Sequence, residues 1–83
     1  MKIELFSKGG QYPYQAEGII NDKDYFYYRA RHGQVSLDLC NTKEELDKLS
    51  FVNEKYISID KNSFVTDEEA LQDIETLYNL INK

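Results

Sequence analysis

The chain has 83 residues, 41% of them apolar and 30% charged, with a formal net charge of −5 at neutral pH. That length carries one domain and one modest core, which argues against a deep enclosed substrate cleft, and the apolar content excludes a disordered chain. A single cysteine, Cys40, excludes an internal disulfide framework, and no apolar run approaches the roughly 20 residues that span a bilayer.

The opening MKIELFSK lacks the apolar centre of a signal peptide. With the lone cysteine, this points to a reducing, cytoplasmic setting. Charge is uneven: residues 1–40 carry five basic and five acidic side chains, whereas residues 41–83 carry five lysines against ten acids. An acidic chain is repelled by phosphate backbones and anionic membranes, so nucleic acid is disfavoured as a partner and a membrane is not expected.

Residues 1–40 read as strands and residues 41–83 as mostly helical, within one α+β domain over 1–83. The first turn signal is Gly9-Gly10. A two-residue loop there sets Leu5 opposite Tyr14, Ile3 opposite Ala16 and Met1 opposite Gly18. Lys2 then faces Glu17, and Glu4 faces Gln15, on the other side. The next turn falls in Asn21-Asp22-Lys23-Asp24, where Asn and Asp tolerate a left-handed backbone. A loop over residues 22–24 sets Ile20 opposite Phe26, Gly18 opposite Tyr28 and Ala16 opposite Ala30. Glu17 would then pair with Arg29 and Gln15 with Arg31. The third turn is His32-Gly33, which places Phe26 opposite Leu39, Tyr28 opposite Leu37 and Ala30 opposite Val35.

Side chains alternate across a strand, so each register can be tested by the residues that share a face. All three turns give one apolar face: Ile3, Leu5, Tyr14, Ala16, Ile20, Phe26, Tyr28, Ala30, Val35, Leu37 and Leu39. The expected sheet is a four-stranded antiparallel meander covered on one face by a C-terminal helix and a shorter helix. The shorter helix opens with the capping box Thr42-Lys43-Glu44-Glu45 and is docked by Leu46 and Leu49. Within KYISIDKNSF, Tyr56 to Ile59 forms either a short fifth strand or an extended loop. A second capping box, Thr66-Asp67-Glu68-Glu69, with Val65 and Ala70 as a hydrophobic staple, opens the C-terminal helix. Ala70, Leu71, Ile74, Leu77, Tyr78 and Ile81 recur at helical spacing on its inner side. Its acids, Asp73 among them, read as a solvated outer face or as complements to the helix dipole.

The outer sheet face is the candidate contact surface. It carries Tyr25, Tyr27, Arg29 and Arg31, flanked by Gln15, Glu17, Lys2 and Asp38, with Phe6 and Ile19 extending it. Tyr and Arg are enriched at interface hot spots because they combine contact area with a polar end. The competing reading is an ordinary solvated face in which tyrosine supplies strand propensity and Glu17 balances Arg29 and Lys2. Catalytic chemistry finds little footing. His32 is the single histidine and sits at a turn, while Cys40 stands at the far end of the same hairpin. A calcium loop beginning at Asp60 fails, because Val65 replaces the required glycine and Leu71 the bidentate glutamate. No phosphate loop, zinc spacing, nucleophile elbow or dinucleotide fingerprint is present.

The sequence therefore predicts a non-catalytic protein-interaction module, accessory or regulatory, with no cofactor and no metal. Its partner would be another protein or a second copy of itself. The alternative is a nucleic-acid-associated regulator using the same Tyr/Arg face.

Overall fold

The computed structural model describes residues 1–10, 14–51, 55–61 and 66–83. Five strands follow one another: β1 (Ile3–Gly9), β2 (Tyr14–Ile20), β3 (Asp24–Arg31), β4 (Gln34–Cys40) and β5 (Tyr56–Asp60). A short helix α1 (Lys43–Asp47) separates β4 from β5, and α2 (Asp67–Ile81) closes the chain. Each strand pairs antiparallel with the next, in the order β1-β2-β3-β4-β5. The α+β meander expected from the sequence is the fold, and the ambiguous segment is its fifth strand.

Of the three turns, His32-Gly33 is where the sequence puts it. Arg31 pairs with Gln34 across it, and both turn residues have positive φ, 53° and 74°. The second turn differs by one position. Its loop is Asn21 to Lys23, with Ile20 opposite Asp24 and both Asn21 and Asp22 at φ 55°. Asn21 itself takes the left-handed conformation, so the loop starts one residue earlier and every pair moves by two. Gln15, not Glu17, therefore faces Arg29, and Glu17 faces Tyr27.

The first hairpin differs more. Ile3 pairs with Ile20 and Leu5 with Gly18, and then the register slips so that Ser7 faces Glu17 and Lys8 faces Ala16. The turn is longer than Gly9-Gly10, and residues 11–13 lie outside the described residues. The slip is a β-bulge that puts Phe6 and Ser7 on the same outer side and swings Lys8 to the helix side. Gly18 makes room for it: an added Cβ there would stand 2.0 Å from the Glu4 carbonyl oxygen and 2.8 Å from the Phe26 ring.

A shift of two or four residues preserves the face on which a strand residue sits. The expected inner residues Tyr14, Ala16, Ile20, Phe26, Tyr28, Ala30, Val35, Leu37 and Leu39 are therefore buried, joined by Ala70, Ile74 and Leu77 of α2. Ile3, Leu5, Ile57, Ile59, Tyr78 and Ile81 pack around them. Thr66 caps α2, its hydroxyl accepting from the Glu69 amide at 3.1 Å. Val65, the other half of the expected staple, lies outside the described residues.

Three tyrosines tie helix to sheet through carboxylates. Tyr14 donates to Asp67 at 2.9 Å, Tyr28 donates to Asp73 at 2.8 Å, and Tyr78 donates to Asp24. These contacts step from the Tyr14 end of β2 to the Asp24 end of β3, so α2 runs along the strands. Lys61 joins Asp73 at 2.9 Å and Glu69 at 3.2 Å, and Lys8 pairs with Asp67. Asp73 is thus a lateral anchor at the margin of the helix's apolar stripe, not a member of a solvated face, whereas Asp67 ties the exposed start of the helix to Lys8 and Tyr14. Lys8 and Tyr14 hold the Asp67 carboxyl below the usual range. Burial tends to lower Lys61, but its bonds to Asp73 and Glu69 outweigh that and hold it above its ordinary value.

The seat of α1 differs from the expectation. Its capping box forms in full, with Thr42 accepting from the Glu45 amide and Glu45 accepting from the Thr42 amide, both at 3.1 Å. Leu46 is buried but stands apart from the core under α2. Lys43 lies 5.7 Å over the Phe6 ring, which itself packs against Tyr25 of the outer face. At this end Tyr78 of α2 bonds Asp24 on the inner face, and α1 lies towards Phe6 and Tyr25 on the other. Leu49 does not dock: it is 52% exposed, at φ 50°, beyond the helix end.

Candidate interaction groove on the outer sheet face

The outer-facing residues of β3, β4 and β5 form three cross-strand rows. Tyr27, Asp38 and Tyr56 make the first, Arg29, Ser36 and Ser58 the second, and Arg31, Gln34 and Asp60 the third. With His32, they surround a groove of about 230 Å³, Asp60 alone standing outside its lining. Phe51 closes the first row, its ring stacked on Tyr27 at 6.0 Å and 14°.

Polarity changes along the groove. Burial raises the Asp38 carboxyl above its ordinary value. Two-residue steps along a strand cover about 7 Å, so the second row lies about that far from Asp38. The second row offers mainly donors. The Ser36 hydroxyl reaches the Arg29 carbonyl at 3.5 Å, a long contact. Arg29 Nε and Ser58 Oγ are buried without a hydrogen-bond partner. Such atoms are rare in folded proteins, because an unmade buried hydrogen bond costs about 1–3 kcal/mol. In the third row Gln34 Nε2 approaches Asp60 at 3.5 Å, and Arg31 is exposed.

The altered β2–β3 register explains why the Arg29 guanidinium is unpaired. The expected partner, Glu17, faces Tyr27 and accepts from the Ser7 hydroxyl at 3.4 Å. Of the six residues predicted for the contact surface, Tyr27, Arg29 and Arg31 line the groove. Tyr25 is half-buried beside Phe6. Gln15 and Glu17 lie one strand away on β2, opposite Arg29 and Tyr27. The sequence reading missed the contribution of β5, Tyr56 and Ser58. The alternation in Tyr56-Ile57-Ser58-Ile59 was the available signal, since it puts both isoleucines on one face and both polar residues on the other.

The reactive side chains stay apart. His32 is exposed at the tip of the β3–β4 hairpin, whereas Cys40 ends β4, about 20 Å further along an extended strand. Burial, with help from the nearby Glu45, pushes the Cys40 thiol up to about 11, so it is protonated and a poor nucleophile near neutrality. Among the described residues no group of three or more His, Cys, Asp or Glu side chains is placed to hold a metal ion. Among the described residues no helix is long and apolar enough to cross a membrane.

Fold and site together define an antiparallel meander with a helix on one face and a polar groove on the other. No protein-family model, curated protein or solved structure matches the chain.

Proposed function

We propose that this chain is a non-catalytic protein-interaction module, accessory or regulatory, which meets its partner through the outer-face groove. The observation that carries this reading is the Arg29 side chain on β3, whose buried Nε, one row from Tyr27 and Tyr56, finds no acceptor among the described residues. Arg and Tyr at the centre of a partly desolvated surface are the side chains from which interface hot spots are built. A protein partner fits better than nucleic acid, because Asp38 and Glu17 share the surface and the chain carries a net charge of −5. The low reactivity of the lone thiol supports binding over catalysis and suits a reducing, cytoplasmic setting.

The test compares the wild type with an Arg29→Glu/Arg31→Glu variant. Both are immobilised and exposed to extract of the native cell, and both are measured by light scattering in solution. The expected result is a protein, or a second copy of the chain, bound by the wild type and held at least about tenfold more weakly by the variant, as loss of a hot spot implies. Equal binding by the two forms would remove this surface from the function. Retention of nucleic acid with a steep salt dependence would favour the regulator reading instead.

A further inference from the structure

We infer that the second and third rows of the groove receive a single carboxylate, carried by a glutamate or aspartate side chain of an extended partner segment. This rests on the interaction reading above and names the chemistry that the partner presents.

The groove floor sets the ligand's polarity. Arg29 brings a planar fork of N–H donors, and Ser36 and Ser58 bring hydroxyls. Arg29 Nε and Ser58 Oγ are shielded from water and bonded to nothing in the free protein. Both atoms lie beneath the groove surface, so a ligand's acceptors reach them as the Arg29 and Ser58 side chains turn outward, and recover hydrogen bonds the folded chain leaves unmade. An apolar ligand would leave both unmade, and a donor would leave Arg29 Nε unmade. Arg31, one row further, adds a second positive charge beside the same floor.

The neighbouring acid narrows the choice among anions. Asp38 lies one row the other way, about 7 Å along the strand, so the anion belongs on the Arg31 side. A dianionic phosphate would meet roughly twice the repulsion that a carboxylate meets from Asp38 and Glu17. A carboxylate is also planar, and its two oxygens match the guanidinium edge side-on. The groove, at about 230 Å³, accommodates a side chain and not a folded element. An extended segment lying along the strands can lower one acidic side chain into it.

The test uses the whole chain, labelled with nitrogen-15, and N-acetylglutamate N-methylamide as the probe. The glutamine analogue and inorganic phosphate are titrated in parallel at constant ionic strength. The expected result is saturable shifts at Arg29 Nε and at the amides of Ser36 and Ser58, with millimolar affinity. The glutamine analogue should bind at least about tenfold more weakly, since its amide cannot make the charge-assisted pair. Arg29→Lys keeps the charge but loses the fork, and should weaken the probe about as much, with an unchanged thermal unfolding curve. Equal shifts with the glutamine analogue, shifts spread over the surface lysines, or an Arg29→Lys variant of undiminished affinity would each overturn the assignment. Tighter binding of phosphate at the same residues would overturn the choice of carboxylate. If the probe fails while Arg29→Glu/Arg31→Glu still loses its partner, the carboxylate falls and the interaction module stands.

Discussion

The two faces of the sheet treat their polar groups in opposite ways. On the inner face Tyr14, Tyr28 and Tyr78 each reach a carboxylate, and Lys61 and Lys8 complete the sets. On the outer face Arg29 Nε and Ser58 Oγ are buried without a partner. Strands, registers and turns are common to both, so the difference lies in what covers each face. Where a helix covers the sheet, an unmade hydrogen bond would cost stability permanently. On the proposed interaction face, the same vacancy would be settled by a partner's acceptors. The satisfied bonds lie on the helix side of this molecule, and the proposal places recognition on the other.

Substitutions on the two faces should therefore separate folding from binding. The largest effect is expected from Gly18→Ala, whose new methyl collides with the Glu4 backbone and the Phe26 ring. Chemical denaturation should show a loss of about 3 kcal/mol, near the upper end for overpacking. A loss under about 1 kcal/mol would mean that β1 moves aside freely and that its bulge is not tied to this glycine.

Next comes Tyr28→Phe, expected to cost about 1–2 kcal/mol at neutral pH through the lost bond to Asp73. The same tyrosines make stability fall in alkali. Burial, then the bond to Asp67, raises Tyr14 from its ordinary 10 to about 12, and burial and Asp73 push Tyr28 well up too. A group raised in the folded state contributes fully below its unfolded value and loses that contribution as pH rises past it. Stability should hold up to about pH 10 and then decline towards pH 12, less steeply in Tyr14→Phe and Tyr28→Phe. Equal slopes in wild type and variants would show that these hydroxyls do not govern the alkaline limb.

The smallest effect belongs to the outer face. Ser58→Ala removes a hydroxyl that bonds to nothing, so stability should stay within about 0.5 kcal/mol or rise. A loss above about 1 kcal/mol would mean that Ser58 finds a partner in the free protein, and the contrast between the faces would shrink.

Which residues face inward was legible from strand alternation, because a register error of two or four positions leaves the face unchanged. The registers themselves were less legible. The slip at Phe6/Ser7 leaves no trace in local composition, and the start of the second loop depends on whether Asn21 or Asp22 first takes positive φ. Both helix starts could be read from Thr42 and Thr66, since a cap is a local interaction. The seat of α1 could not, because its contact with the Phe6 ring joins residues far apart in the chain. Asp73 looked like a solvated acid and Asp67 like a helix-capping one because their partners, Lys8, Tyr14, Tyr28 and Lys61, come from other elements. The groove needed β5 in register beside β4 before Ser58 and Tyr56 could be placed with Arg29.

The bulge in β1 also bears on how copies of this chain meet one another. An outermost strand normally offers a regular row of amides and carbonyls onto which a foreign strand can add, which is how sheet proteins begin to aggregate. A strand that changes phase between Leu5 and Ser7 presents that row in two mismatched halves, with Lys2 and Lys8 near either end. Such a broken, lysine-flanked edge disfavours the addition of a foreign strand on this side.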